Sequence, residues 1–266
     1  MANLAFAELA TPVQDTSPLN RVPKVTVDFW LIKLMAVTMG ETAADYLNVN
    51  LGIGLTNTSL IMTAVLIVAL AAQFRQKRYV PWSYWLAVVL ISIVGTLVTD
   101  NLVDNFGVPL LTTAIGFSIA LAVTFAVWYR SEGTLSIHSI QTTRREAWYW
   151  LAILFTFALG TAAGDLVAEK FGLGYLSTGV LFGMIIASLS AGYFLLGLDA
   201  ILGFWLVYVL TRPLGASFGD LMSQDPKYGG FGFGTVITSA LFLGAIVAIV
   251  GYMTWTHDGE EMAVEA

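Results

Sequence analysis

The sequence predicts an all-α integral membrane protein of eight transmembrane helices, built as four tandem two-helix repeats in parallel orientation. Three observations predict it. Of the 266 residues, 57% are hydrophobic and only 11% charged, against roughly 25% charged in soluble chains. Eight apolar runs each reach about 20 residues, the length that crosses a hydrocarbon core. One pattern recurs along the chain: Trp30–Gly40–Asp45, Trp85–Gly95–Asp100, Trp150–Gly160–Asp165 and Trp205–Gly215–Asp220. Internal repetition of this kind sets an architecture before any other reading.

Residues 1–26 are polar, lack the basic-then-apolar pattern of a leader, and are predicted to be a cytoplasmic tail. Helices are predicted at 27–47, 53–73, 82–102 and 108–129, and then at 147–168, 173–195, 199–222 and 232–255. The polar seam 130–146 separates a first half, 27–129 (repeats 1 and 2), from a second, 147–255 (repeats 3 and 4), and an acidic tail follows at 256–266. Corresponding residues lie 55, 65 and 55 positions apart, which gives a pseudo-fourfold, twofold-of-twofold plan. Two-helix repeats all enter from the same side, related by an axis along the membrane normal, so the four aspartates face one leaflet. Arg21, Lys24, Arg75, Lys77, Arg78, Arg130, Arg144 and Arg145 lie on the other side, against only Lys170 and Lys227 on the aspartate side. The positive-inside rule then puts both termini in the cytoplasm. All eight tryptophans fall toward that end and are expected to mark the inner interface, with each repeat tryptophan about 22 Å along its helix from its aspartate.

Within each repeat, Gly40, Gly95, Gly160 and Gly215 are each followed four residues later by Ala44, Thr99, Gly164 or Gly219. Small residues at this spacing let helices pack closely in lipid, so these glycines are assigned to packing. The next residue is the aspartate, which should then turn toward the bundle interior. Asp45, Asp100, Asp165 and Asp220 have two readings: helix-end caps that accept from the Gly-x-Gly or Gly-x-Pro turn, or a carboxylate cluster that binds a cation or relays protons. Those turns are Gly52/Gly54, Gly107/Pro109, Gly172/Gly174 and Gly232/Gly234, each followed by Thr58, Thr113, Thr178 or Thr238. The threonine hydroxyls are candidate supporting ligands, or bond their own helix backbone.

Some positions break the symmetry. Glu41 lies one turn before Asp45, and Lys33 two turns before Glu41. Arg212 precedes Pro213 near the middle of its helix. Lys33 and Arg212 are expected charge partners for the carboxylates; the alternative for Lys33 is snorkelling to the interface. Glu41 and the four aspartates against Lys33 and Arg212 leave three uncompensated negative charges if all ionise. Either some carboxylates hold protons or a cation sits among them. With no cysteine in the chain, and His138 and His257 in the seam and tail, only oxygen donors are left for a metal. Such a set suits Mg²⁺, Mn²⁺, Ca²⁺, Na⁺ or H⁺, and no other cofactor is expected.

Several classes are excluded. A net charge of −6 offers nothing to grip nucleic acid. A retinal protein needs a mid-helix lysine, whereas Lys33 is near an end. The aspartate-side connections are too short for a pore helix and carbonyl filter. No nucleotide-binding or hydrolase signature is present, so no enzyme is expected.

Trp30, Lys33 and the run Gly40-Glu41-Thr42-Ala43-Ala44-Asp45 with its three echoes resemble a family of bacterial uncharacterised membrane-anchored proteins. That family is built of four tandem two-helix units, each with a characteristic tryptophan and termed a repeat of unknown function. The resemblance covers roughly 25–255 and implies the eight-helix architecture and the bacterial inner membrane. The fourth repeat departs from it by about five extra residues between Ser223 and Gly230.

These readings lead to an expected secondary transporter of a small inorganic cation, such as Mn²⁺ or Mg²⁺, coupled to protons. Asp45, Asp100, Asp165, Asp220 and Glu41 would form the ion set, and the lipid bilayer would be the other partner. Two alternatives stand: a non-transporting scaffold that binds a partner or lipid, its Asp and Thr motifs structural, and a passive cation channel.

Overall fold

The computed structural model describes residues 19–265, with side chains up to 256. Most of the N-terminal tail, and the side chains of His257 and the acidic tail, lie outside the described residues. The long helices are α1 (Val27–Asp45), α2 (Leu55–Gln73), α3 (Pro81–Asp100), α4 (Leu110–Glu132), α5 (Thr143–Asp165), α6 (Tyr175–Leu196), α7 (Ala200–Ser223) and α8 (Gly234–Glu265).

Local chemistry sets their ends. Thr26 and Thr142 cap α1 and α5 by accepting from Phe29 N–H and Arg145 N–H, and Asp199 caps α7 by accepting from Leu202 N–H. Pro81 opens α3, where its missing N–H costs nothing. Gly133 closes α4 in the left-handed conformation. After the aspartate, α1, α3 and α5 each loosen into one π turn, with Leu51 N–H reaching Tyr46 O at 3.0 Å, Phe106 reaching Asn101 at 3.0 Å and Phe171 reaching Leu166 at 2.9 Å. The fourth repeat has no such turn. There α7 runs on to Ser223, and the longer connection folds as a 3₁₀ turn at Pro226–Tyr228.

Among the described residues, seven helices are long and apolar enough to cross a membrane. The eighth, α1, carries Asp28, Lys33, Glu41 and Asp45 within 19 residues, which dilutes its hydropathy. The chain is a membrane protein of four repeats. Its odd helices form a closed inner ring, α1–α3–α5–α7 and back to α1. Each even helix packs outside, chiefly on the inner helix of the following repeat: α2 on α3, α4 on α5, α6 on α7 and α8 on α1. The α4–α5 contact crosses the seam, so the two halves interlock.

Burial follows this plan. The apolar stretches of α3, α5 and α7 are 50–67% buried, those of the outer helices 11–22%. The outer helices present Leu60, Ile67, Val68, Ile119, Phe194 and Val247 outward. Such a surface suits hydrocarbon and not water.

The tryptophans depart from the expected interfacial belt. Trp85, Trp128, Trp150 and Trp205 are buried, and only Trp82 and Trp255 are largely exposed. Three of the four repeat tryptophans therefore build the core of the ring rather than its lipid contact. They pack edge-on with Tyr84, Tyr149, Phe204 and Tyr208, in the geometry that favours aromatic pairs, and tilted against Phe29.

Candidate functional site: the axis of the inner ring

Repeat-equivalent residues form layers around the axis, four positions apart along each inner helix. From the tryptophan end they are Phe29/Tyr84/Tyr149/Phe204, Lys33/Val88/Ile153/Tyr208, Val37/Ser92/Phe157/Arg212, Glu41/Thr96/Thr161/Ala216 and Asp45/Asp100/Asp165/Asp220.

The repeat glycines close the ring. A Cβ on Gly40 would meet Ser92, on Gly95 the Cβ of Phe157 at 2.8 Å, on Gly160 the stem of Arg212, and on Gly215 the Cγ1 of Val37 at 2.5 Å. Each glycine thus receives the residue that stands three before the glycine of the next repeat. Close backbone approach through small residues is how helices associate in lipid. One step further on, Gly164 receives Pro213, and Gly219 receives the carbonyl of Thr38.

Arg212 is fully buried at the centre of this ring. Its Nη2 pairs with Glu41 Oε2 at 2.9 Å and donates to Thr161 Oγ1 at 2.8 Å and to Thr96 Oγ1. Nη1 donates to Val37 O at 3.3 Å and Nε to Phe157 O at 3.4 Å. Thr96 Oγ1 also donates to Glu41 Oε2 at 3.2 Å. Glu41, Thr96 and Thr161 are one layer of the repeat, so a single guanidinium reaches the same position on all three other inner helices. A buried pair of this kind survives only where every donor is met.

Lys33 is not a partner for a carboxylate, nor does it snorkel. It is buried, and its Nζ donates to Tyr208 O at 2.6 Å and to Thr211 Oγ1, above the Tyr208 ring at 3.8 Å. The carbonyl and ring face stabilise the ammonium in place of an anion.

The four aspartates stand at the other end. Among the described residues none of them accepts a hydrogen bond or joins an ion pair. The expected caps do not form, because the turn amides bond backbone instead: Gly54 N–H to Asn48 O, Gly174 N–H to Ala168 O and Gly232 N–H to Gln224 O. All four lie within electrostatic reach of Glu41. The expected metal set is not assembled either. Among the described residues no group of three or more His, Asp or Glu side chains gathers as a metal cage. Glu41 is held by Arg212 instead.

The threonines also differ from the expected ligand role. Thr58, Thr113 and Thr238 bond the carbonyls of Gly54, Pro109 and Gly234 one turn back on their own helices. Thr178 Oγ1 is buried without a hydrogen-bond partner among the described residues.

Two features escaped sequence reasoning. Thr96 and Thr161 were accessible through the 55- and 65-residue offsets applied to Glu41, since those offsets align them. Glu146 was not. It is wholly buried at the tryptophan end, where it pairs with Arg21 at 2.7 Å and accepts from Gln73 Nε2 at 3.0 Å and Trp150 Nε1 at 3.3 Å. Ser83 Oγ donates to Gln73 Oε1 at 2.7 Å, while Arg21 N–H bonds Ile140 O and Tyr79 N–H bonds Asn20 O, each at 2.9 Å. Backbone bonds thereby tie the N-terminal strap to the turns before α3 and α5, and the Glu146 carboxylate pins its Arg21 to α5. In the seam, burial holds the His138 imidazole below its ordinary 6.5.

A family model described as a repeat of unknown function (DUF347) matches the chain at residues 29–79, 83–134, 148–197 and 203–258. No curated protein and no solved structure matches it.

Proposed function

We propose that this chain, which belongs to the DUF347 repeat family, is a secondary transporter that moves a small cation along the axis of its inner ring, coupled to protons. In this reading α1 crosses the membrane with the other seven helices. Both termini lie in the cytoplasm of a bacterial inner membrane, in keeping with the eight basic residues on the tryptophan side. The aspartate mouth then faces outward.

One observation carries the reading. Among the described residues, four carboxylates without a hydrogen bond or ion pair stand at the end of an axis whose next layer holds Glu41, paired with the buried Arg212. Intramembrane carboxylates are costly to keep and mark ion or proton pathways. Unpartnered ones gain nothing for the fold, so their recurrence in every repeat calls for a ligand or a proton. The aromatic packing at the tryptophan end closes the path there, as alternating access requires and a passive channel does not.

The test is ion flux in proteoliposomes with an internal pH dye. Wild-type protein should show cation-dependent proton movement, and the variant with all four aspartates changed to Asn should lose at least 90% of it while staying folded. Equal flux in the two would end the transporter reading.

The scaffold reading has its own observation: Thr58, Thr113 and Thr238 spend their hydroxyls on their own backbone. It requires the four Asp→Asn changes to lower the melting temperature, a result the transporter reading does not expect.

A further inference from the structure

The environment of Arg212 has the form of a binding site. Five oxygens from three helices converge on its guanidinium: the carboxylate of Glu41, the hydroxyls of Thr96 and Thr161, and the carbonyls of Val37 and Phe157. Val37 and Phe157 occupy the position in their own repeats that Arg212 holds in the fourth. The three donor nitrogens are each met, in the fork arrangement that distinguishes guanidinium from ammonium. Only one of the five oxygens' residues carries a charge. A monovalent cation leaves that set neutral, whereas a divalent ion would leave a buried positive charge.

The arginine is also placed to withdraw. It enters the ring over Gly160, and Pro213, the next residue, lies on Gly164 with its Cα at 3.5 Å from where a Cβ would stand. The α5 surface beneath α7 is therefore smooth at both positions. Pro213 cannot donate to the carbonyl four residues back, which weakens α7 at this point.

We infer that the five-oxygen set is the cation site of the axis, that Arg212 is its tethered occupant, and that the ligand admitted when α7 withdraws it is a compact monovalent cation of the guanidinium type. The inference rests on the axial transport reading and specifies its substrate class. Charge fixes the valence, and the planar fork of donors fixes the shape. The aspartate mouth collects the cation, and the Glu41 layer selects it.

The test uses Arg212→Ala, prepared with and without 5 mM guanidinium throughout purification, an amount on the order of the free-ligand excess that mass action needs for a weak site. Guanidinium should raise recovery and give a saturable upward shift of the melting temperature. Urea, of the same shape without charge, and Na⁺, with charge but no fork, should give less than a tenth of that shift. The double variant Glu41→Gln, Arg212→Ala should not respond. A protein that guanidinium neither recovers nor stabilises, or a response that the double variant or urea reproduces, overturns the site. As a second measurement, wild-type proteoliposomes should take up radiolabelled guanidinium at least fivefold faster than Glu41→Gln vesicles. Binding in Arg212→Ala with no uptake by wild type would leave the site standing and end the transport reading instead. Uptake unaffected by Glu41→Gln would overturn the site as the selective step.

Discussion

The two ends of the inner ring have the same helices and the same repeat, yet opposite chemistry. At the tryptophan end the buried charged groups find partners. Glu146 meets Arg21, Gln73 and Trp150, Tyr84 bonds Tyr149 hydroxyl to hydroxyl at 2.5 Å, and Lys33 is enclosed by Tyr208 and Thr211. At the aspartate end three of the four inner helices loosen into π turns, and four carboxylates stand without protein partners among the described residues. The difference teaches that the repeat serves two purposes. Its Trp and Gly positions are spent on packing that closes the ring. Its Asp positions contribute nothing visible to that packing and are free for a ligand or a proton. Between the two lie layers where the fourfold pattern breaks, with Glu41, Thr96 and Thr161 of one layer around Arg212 of the layer before it.

The largest expected effect falls on that layer. Glu41→Gln leaves Arg212 buried without its counter-charge and should cost about 3–5 kcal/mol, read by chemical or thermal unfolding in detergent. The double variant Glu41→Leu, Arg212→Met should recover most of this, because apolar replacement of a whole buried pair is often neutral. A double variant as unstable as the single one would mean that the damage comes from packing and not from charge.

Next come the glycines. Gly95→Ala places a methyl 2.8 Å from Phe157 Cβ and should cost about 1–3 kcal/mol by overpacking. Gly116→Ala on the outer helix α4 meets nothing within 4 Å and should be neutral or stabilising by a few tenths of a kcal/mol to about 1 kcal/mol. Equal costs at the two sites would deny the inner ring its role as the close-packed layer.

The aspartates sharpen the contrast from the other side. Asp45→Asn removes no bond seen here, so its stability should change by no more than about 0.5 kcal/mol. Tyr84→Phe at the other end loses a buried hydroxyl pair and should cost about 1 kcal/mol. Melting curves of the two variants side by side check this ordering.

The smallest effect concerns His138. Its folded-state pKa lies below the unfolded 6.5, so the folded state binds fewer protons and stability rises with pH through that window. His138→Gln should flatten the loss of stability seen as pH falls below about 6.5, and an unchanged pH profile would contradict the assignment.

Much of this architecture was legible in the sequence, for a definite reason. Helix placement follows from runs of apolar residues bounded by turn glycines, and the structural ends fall within a few residues of those expected, apart from longer reaches at α5 and α8. The small residues at Gly40 and Gly160 likewise announce close packing. The site was legible only in part. Arg212 had to find an anion, but four aspartates and Glu41 competed for it, and only the register between α1 and α7 selects Glu41. The threonines misled because a hydroxyl at a helix start satisfies itself on its own backbone as readily as on a ligand. The tryptophans misled because their position near a membrane interface says nothing about whether they turn outward or inward. The partner-rich Glu146 has no repeat equivalent, so no periodic signal marks it.

The claim at the centre of the account is that the aspartate end is a cation-attracting mouth closed below by Arg212. The chain has no cysteine, so single thiols at Asp45→Cys, above the arginine, and Val88→Cys, below it, can be timed against thiol reagents of opposite charge. The account predicts that a cationic reagent modifies Asp45→Cys at least tenfold faster than an anionic one, within the ~10–10³ range of electrostatic steering, and that neither reagent reaches Val88→Cys. Equal rates at Asp45→Cys, or ready labelling of Val88→Cys from the aspartate side, would contradict it.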